Sequence, residues 1–218
     1  MMSKKIAVVL SGCGFLDGAE INETVLALLA IEEAGCSYQA YAPDVDQYHV
    51  INHMAGEEAS ETRNVLVESS RIVRGNISSL DKLKPEDFDA LILPGGYGVA
   101  KNLSDFATRG KDLTINPELL SVCSRFCALK KPAGYICIAP VLLTTIYGNG
   151  VTCTIGNDKD TASIIDDTGG VHQTAAVDDI VIDADRKVVS TPAYMLANNL
   201  IEARTGIKKL VEAVVGMI

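Results

Sequence analysis

Short buried-strand signals alternate with helix signals along most of this chain, and that alternation constrains the fold more than any other feature. The run KKIAVVL at 4–10 reads as a strand and ends in a glycine-rich turn, SGCGFLDG. A helix is predicted over Ala19–Ala34, with Ile21, Val25, Leu28 and Leu29 as its apolar stripe and Gly35 as its stop. Ser37–Tyr41 is the next strand, and a helix is expected over Ser60–Arg71. Asp89–Leu93 (DALIL) is a buried strand, Pro117–Leu129 a helix and Ala133–Cys137 a strand. A short helix should open at Ala139-Pro140, because proline suits the first helical turn. Val151–Ile155 reads as a strand and Asp160–Asp167 as a helix. Asp179–Asp183 and Lys187–Ser190 read as an antiparallel hairpin at one sheet edge, before a last helix over Met195–Val215. Alternation of this kind builds an α/β fold with a mostly parallel sheet.

Length and composition narrow the function classes. With 218 residues, no internal repeat and no linker, the chain reads as one domain over 1–218. It is 48% hydrophobic, too apolar for disorder. No apolar run reaches the roughly 18 residues that span a bilayer. The apolar stretch Ile6–Leu10 is short and lacks a small-residue cleavage site after it, so it reads as a first strand and not a signal peptide. A net charge of −9 with 5% aromatics argues against nucleic acid and anionic membranes as partners. The six cysteines, 13, 36, 123, 127, 137 and 153, read as reduced thiols of a cytoplasmic protein.

One thiol has a distinctive position. Gly134-Tyr135-Ile136-Cys137-Ile138-Ala139-Pro140 places Cys137 at the tip of a strand immediately before a helix. A side chain on such an elbow stands above the sheet beside a helix N-terminus, whose free amides and dipole favour thiolate. The competing reading is a buried packing cysteine. Pro94-Gly95-Gly96-Tyr97-Gly98 also follows a strand and precedes a helical segment. Its glycines suit an oxyanion hole as well as a tight turn. Neither nucleotide-binding glycine fingerprint is present as required. Glu20, at the start of the first helix, should converge with Cys137 at the carboxyl edge of a parallel sheet, there to exchange protons. It also fits a capping box with Asp17 as N-cap.

VLSGCGFLDGAEINE, INHMAGE, ETRNVL, LPGGYGVAKNLSDFA, CIAP, TIGND and TPAYMLA together resemble the ElbB glyoxalase family, from about Lys5 to Leu210. That family lies in the ThiJ/PfpI branch of the class I glutamine amidotransferase-like superfamily. The resemblance implies a flavodoxin-like αβα sandwich, slow conversion of glyoxal to glycolate without a cofactor or metal, an undefined link to isoprenoid biosynthesis, and a homodimer. It implies Cys137 as nucleophile, Glu20 as the acid contacting that thiol, and amides of Gly96 and Ile138, with Gly95 beside them, as the oxyanion hole. Many superfamily members carry a histidine after the elbow; here that stretch is Thr154-Ile155-Gly156-Asn157-Asp158. A glutaminase-like activity is correspondingly disfavoured.

Other residues carry weaker signals. His49 and His53, four apart, would share a helix face, although two-histidine spacing alone is a poor metal signal. His172 is a candidate replacement base. Cys123 and Cys127 read as core residues of one helix face. Cys13 is expected to line the pocket or to act as a resolving thiol, and Asn102 and Arg63 are either pocket polar groups or loop anchors. Residues 44–76 should cover the site or a subunit contact. The leading reading is a glyoxalase acting on small α-oxoaldehydes. The rival is a redox-sensing or metabolite-binding protein with a reactive Cys137.

Overall fold

The computed structural model describes residues 4–218; residues 1–3 of the expected single domain lie outside it. Strand β1 (Lys5–Val9) leads into α1 (Ile21–Glu33) and β2 (Ser37–Ala42). A small hairpin, β3 (Val50–Asn52) and β4 (Glu57–Ala59), precedes α2 (Val65–Ile72) and β5 (Ile77–Ser79). Next come β6 (Ala90–Leu93), α3 (Tyr97–Lys101), α4 (Phe106–Arg109) and α5 (Pro117–Ala128). β7 (Ala133–Ile136) feeds a 3-10 turn over Ala139–Leu142 and then α6 (Leu143–Tyr147). The chain ends with β8 (Thr152–Cys153), α7 (Lys159–Asp167), β9 (Val171–His172), β10 (Val181–Asp183), β11 (Val188–Thr191) and α8 (Leu200–Gly216).

Seven strands form the central sheet in the order β10-β11-β7-β6-β1-β2-β5. All its pairings are parallel except β10 with β11, the expected antiparallel edge hairpin. Strand residues alternate between two cores, as a pleated sheet buried on both faces requires. Ile6, Val8, Ala90, Ile92 and Val189 pack with side chains of α1, α2 and α8. Ala7, Val9, Leu91, Leu93 and Val188 pack with side chains of α5, α6 and α7. This is the flavodoxin-like αβα sandwich.

Three local expectations are corrected. On α1 the buried residues are Glu23, Thr24, Ala27, Leu28, Ala30 and Ile31, while Ile21, Val25 and Leu29 remain 42%, 48% and 41% exposed. Thr24, Ala27 and Ala30 let the helix approach its neighbours closely, and of its large aliphatics only Leu28 and Ile31 are buried. The segment before Val65 is the β3–β4 hairpin and a loop, and α2 starts only where Asn64 caps it. Residues 195–199 form a 3-10 turn and a loop ahead of α8, which Asn199 caps.

Candidate functional site

Cys137 sits where the parallel sheet ends. Its amide still pairs with Thr191 O at 2.9 Å, continuing the register of β7 with β11. Its φ is then +62°, a left-handed value that a residue with a Cβ rarely adopts. Such strain persists only where the surroundings over-determine it. Here Ile136 and Ala139 on either side are fully buried. The side chain is thereby lifted above the sheet edge toward the amides of Gly96 and Ile138, which both hydrogen-bond its sulfur.

The neighbouring loop is built around that thiol. A Cβ on Gly95 would collide with the Cβ of Cys137, and one on Gly96, whose φ is +95°, with the backbone of Glu20 and Gly18. Glycine is therefore required at both positions for the loops to meet. Glu20 N donates to Gly95 O at 3.0 Å, and Gly98 N to Gly18 O at 2.9 Å, lacing the two loops together.

Glu23, and not Glu20, is the acid at the thiol. Glu23 lies in the first turn of α1, fully buried, and hydrogen-bonds Cys137. Its Oε2 accepts from Gly95 N at 2.9 Å and its Oε1 from Tyr194 N at 3.1 Å. Burial pushes the Glu23 carboxyl up to about 8, aided by the charge of Glu20 and opposed by those two amides. Burial also pushes the Cys137 thiol well up, and the Glu23 charge adds to it against the pull of the Gly96 and Ile138 amides. Burial thus favours the protonated form of both groups.

Glu20 occupies a different position. It is itself the N-cap of α1, with extended backbone, and its Oε2 accepts from Glu23 N at 2.6 Å. Asp17 is not the cap; its Oδ2 accepts from Ile51 N at 2.7 Å. Glu20 and Cys137 do line one cavity of about 450 Å³, together with Gly96, Ile138 and Asp158. Phe15, Tyr97, Phe106, Tyr194 and Met195 provide much of its apolar wall.

Residues 4–195 match the DJ-1/PfpI family. The chain belongs to the DJ-1/PfpI family. It is 42% identical over 220 residues to the mitochondrial ES1 protein homolog of Rattus norvegicus, covering 96% of this chain and 82% of that protein. Identity and coverage are the same for the mitochondrial glutamine amidotransferase-like class 1 domain-containing protein 3 of Homo sapiens. The crystal structure of an isoprenoid biosynthesis protein with an amidotransferase-like domain from Ehrlichia chaffeensis superposes with a TM-score of 0.92, at 36% identity over 99% of both chains.

Within this DJ-1/PfpI chain several expected site residues lie elsewhere. Cys13 does not line the cavity. Gly12 N is pinned to Ser69 Oγ of α2 at 2.9 Å, and the charges acting on the Cys13 thiol are those of Glu68, Arg71, Asp17 and Arg63. Asn102 is a loop anchor: its Nδ2 donates to Ser11 O and Asp17 O, both at 2.8 Å, and its Oδ1 accepts from Tyr48 N at 2.9 Å. Arg63 pairs with Glu61 at 2.6 Å and Glu68 at 3.4 Å.

His49 and His53 share no helix. His49 Nε2 meets Lys101 Nζ at 2.7 Å, and His53 Nε2 accepts from Leu16 N at 3.3 Å. His172 Nε2 accepts from Ile155 N at 3.3 Å, outside the cavity. Residues 44–76 supply no part of the cavity wall; the β3–β4 hairpin buttresses it instead, with the His53 ring edge-on to Phe15. All six cysteines are free thiols. Among the described residues no group of three or more His, Cys, Asp and Glu is placed to hold a metal, and no helix is long and apolar enough to cross a membrane.

The sequence reading missed Glu23. Its signal was a second acid three residues after Glu20, in a first turn whose other residues are apolar or uncharged. An acid inside such a stretch either faces solvent or serves a buried partner.

Proposed function

We propose that this chain is a cofactor-independent glyoxalase, converting glyoxal-type α-oxoaldehydes to hydroxy acids. The observation that carries the reading is the convergence on one sulfur of the Glu23 carboxyl and the amides of Gly96 and Ile138. With Glu23 in its ionised form, the carboxylate takes the S–H proton as sulfur bonds to the aldehyde carbon and then gives it to the new alkoxide. The carbonyl electrons move to oxygen, which the two amides hold until it is protonated, giving a hemithioacetal. Glu23 then carries the carbon-bound proton to the adjacent carbonyl carbon through an enediol, leaving a thioester of the hydroxy acid. Water cleaves that thioester and regenerates the thiol. Aldehyde plus water becomes hydroxy acid, with no external oxidant or reductant.

The test is turnover of glyoxal to glycolate by the wild type, Cys137→Ala and Glu23→Gln. Equal rates in all three would refute the reading. Weighing against a redox sensor is the Cys137 thiol itself, held protonated by burial, whereas oxidation selects thiolates. No histidine lines the cavity, which argues against a glutaminase. We also propose a homodimer whose contact uses the outward Ile21, Val25 and Leu29, and a cytoplasmic location.

A further inference from the structure

The cavity beside Cys137 is far roomier than a few-atom dialdehyde needs. At about 450 Å³ it falls in the range that encloses a sizeable organic ligand. Phe15 and Tyr97, both about half exposed, stand at its wall, and Phe106, Tyr194 and Met195 extend the apolar surface.

Its carboxyl side chains carry the only charge the wall can bear, and that charge is negative. Glu20 and Asp158 are the ionisable carboxyls of the wall, and Glu23 lies buried against Cys137. No Lys, Arg or His is among the described residues that line it. The neighbouring cation, Lys101, is engaged outside: its Nζ donates to Leu16 O at 2.8 Å, meets His49 Nε2 at 2.7 Å, and stands 5.1 Å from the Tyr97 ring centroid. The Gly96 and Ile138 amides already face the reacting sulfur. A carboxylate or phosphate on the substrate would therefore meet carboxylates and no counter-charge, in a cleft whose apolar walls strengthen repulsion.

We propose that the site takes carbonyl compounds with an apolar or aromatic body and no anionic group, and that Glu20 and Asp158 are specificity-determining residues that turn anions away. This rests on the glyoxalase reading only for the identity of the reacting carbonyl. The selectivity is a property of the cavity, and it applies to any electrophile that reaches Cys137.

The experiment separates the two. Alkylation of Cys137 by iodoacetate, iodoacetamide and N-benzyl iodoacetamide is followed by intact mass, each rate normalised to that of glutathione under the same conditions. In parallel, turnover of phenylglyoxal is compared with that of glyoxal and of the anion 4-carboxyphenylglyoxal, the expected order being phenylglyoxal, glyoxal, then the anion. The expected order of alkylation is benzyl amide, then amide, then acetate, with the acetate disfavoured by at least about tenfold at low salt and less at high salt. Asp158→Asn retains an oxygen to cap α7 at Thr161 N, and Glu20→Gln retains one for Glu23 N, so both keep their caps while losing charge. Each should raise the acetate-to-amide ratio several-fold, which a purely structural role would not do. Alkylation ratios equal to those of glutathione, or unmoved by both variants, would overturn the proposal. Absence of aldehyde turnover with the ratios intact would overturn the glyoxalase reading and leave the selectivity standing.

Discussion

The buried carboxyl of Glu23, in the first turn of α1, rests against the Sγ of Cys137 at the end of β7. Neither group faces bulk water, and a negative charge on one disfavours a negative charge on the other. Their protons consequently come off as those of a pair.

Removing that charge should release the thiol. In Glu23→Gln the Cys137 pKa is expected to fall relative to the wild type, read as thiolate absorbance against pH. Glyoxal turnover in the same variant should drop by roughly 10²–10⁴, the usual worth of a positioned general base. Glu20→Gln should lose far less. A larger loss at Glu20 than at Glu23 would reassign the base.

Activity should climb with pH. The reaction needs one proton removed from the pair, and the Glu23 carboxyl holds its proton up to about 8. The expected profile of kcat/KM for glyoxal rises between about pH 6 and about pH 9. A flat profile would contradict a protonated resting pair.

Stability should move in the opposite sense. In the unfolded chain Glu23 ionises near its ordinary 4.5, whereas in the folded chain it keeps its proton to about 8. The folded state thus binds more protons in that window. The stabilisation is fully present below the unfolded value and is lost as pH rises through the folded one. Urea midpoints at about pH 5 and about pH 8 should diverge more for the wild type than for Glu23→Gln.

Gly95→Ala should damage fold and site together. Its new Cβ meets the Cys137 Cβ, the Glu23 carboxylate and Ile136 O, so elbow and loop must separate. A loss of about 1–3 kcal/mol, typical of overpacking, is expected in denaturant unfolding, with turnover abolished. Gly216→Ala, with no left-handed φ and no atom within 4 Å of the added Cβ, provides the control for a glycine-to-alanine change without the collision.

Val25→Glu should shift a homodimer toward monomer in sedimentation, since it charges the middle of the outward stripe of Ile21, Val25 and Leu29. An unchanged sedimentation coefficient for wild type and variant would place any subunit contact elsewhere.

Local order in this protein is legible without coordinates. Short continuous apolar runs mark β1, β6 and β7 as strands buried on both faces, and the strand–thiol–helix pattern at Cys137 and the paired glycines at 95–96 announce an elbow facing a tight loop. Each of these depends on neighbours in sequence, through pleat, φ and the first helical turn. Which face of α1 is buried, and which of its acids meets the thiol, were settled only by tertiary packing. Glu20 and Glu23 are one helical turn apart and chemically alike. The Gly95 and Tyr194 amides, from distant loops, converge on Glu23, while Glu20 turns back to cap its own helix. Likewise Ile21, Val25 and Leu29 form as good an apolar stripe as the residues that are buried. Leu28 and Ile31 face inward alongside Ala27 and Ala30, whose small side chains let α1 pack closely against α8 and the sheet.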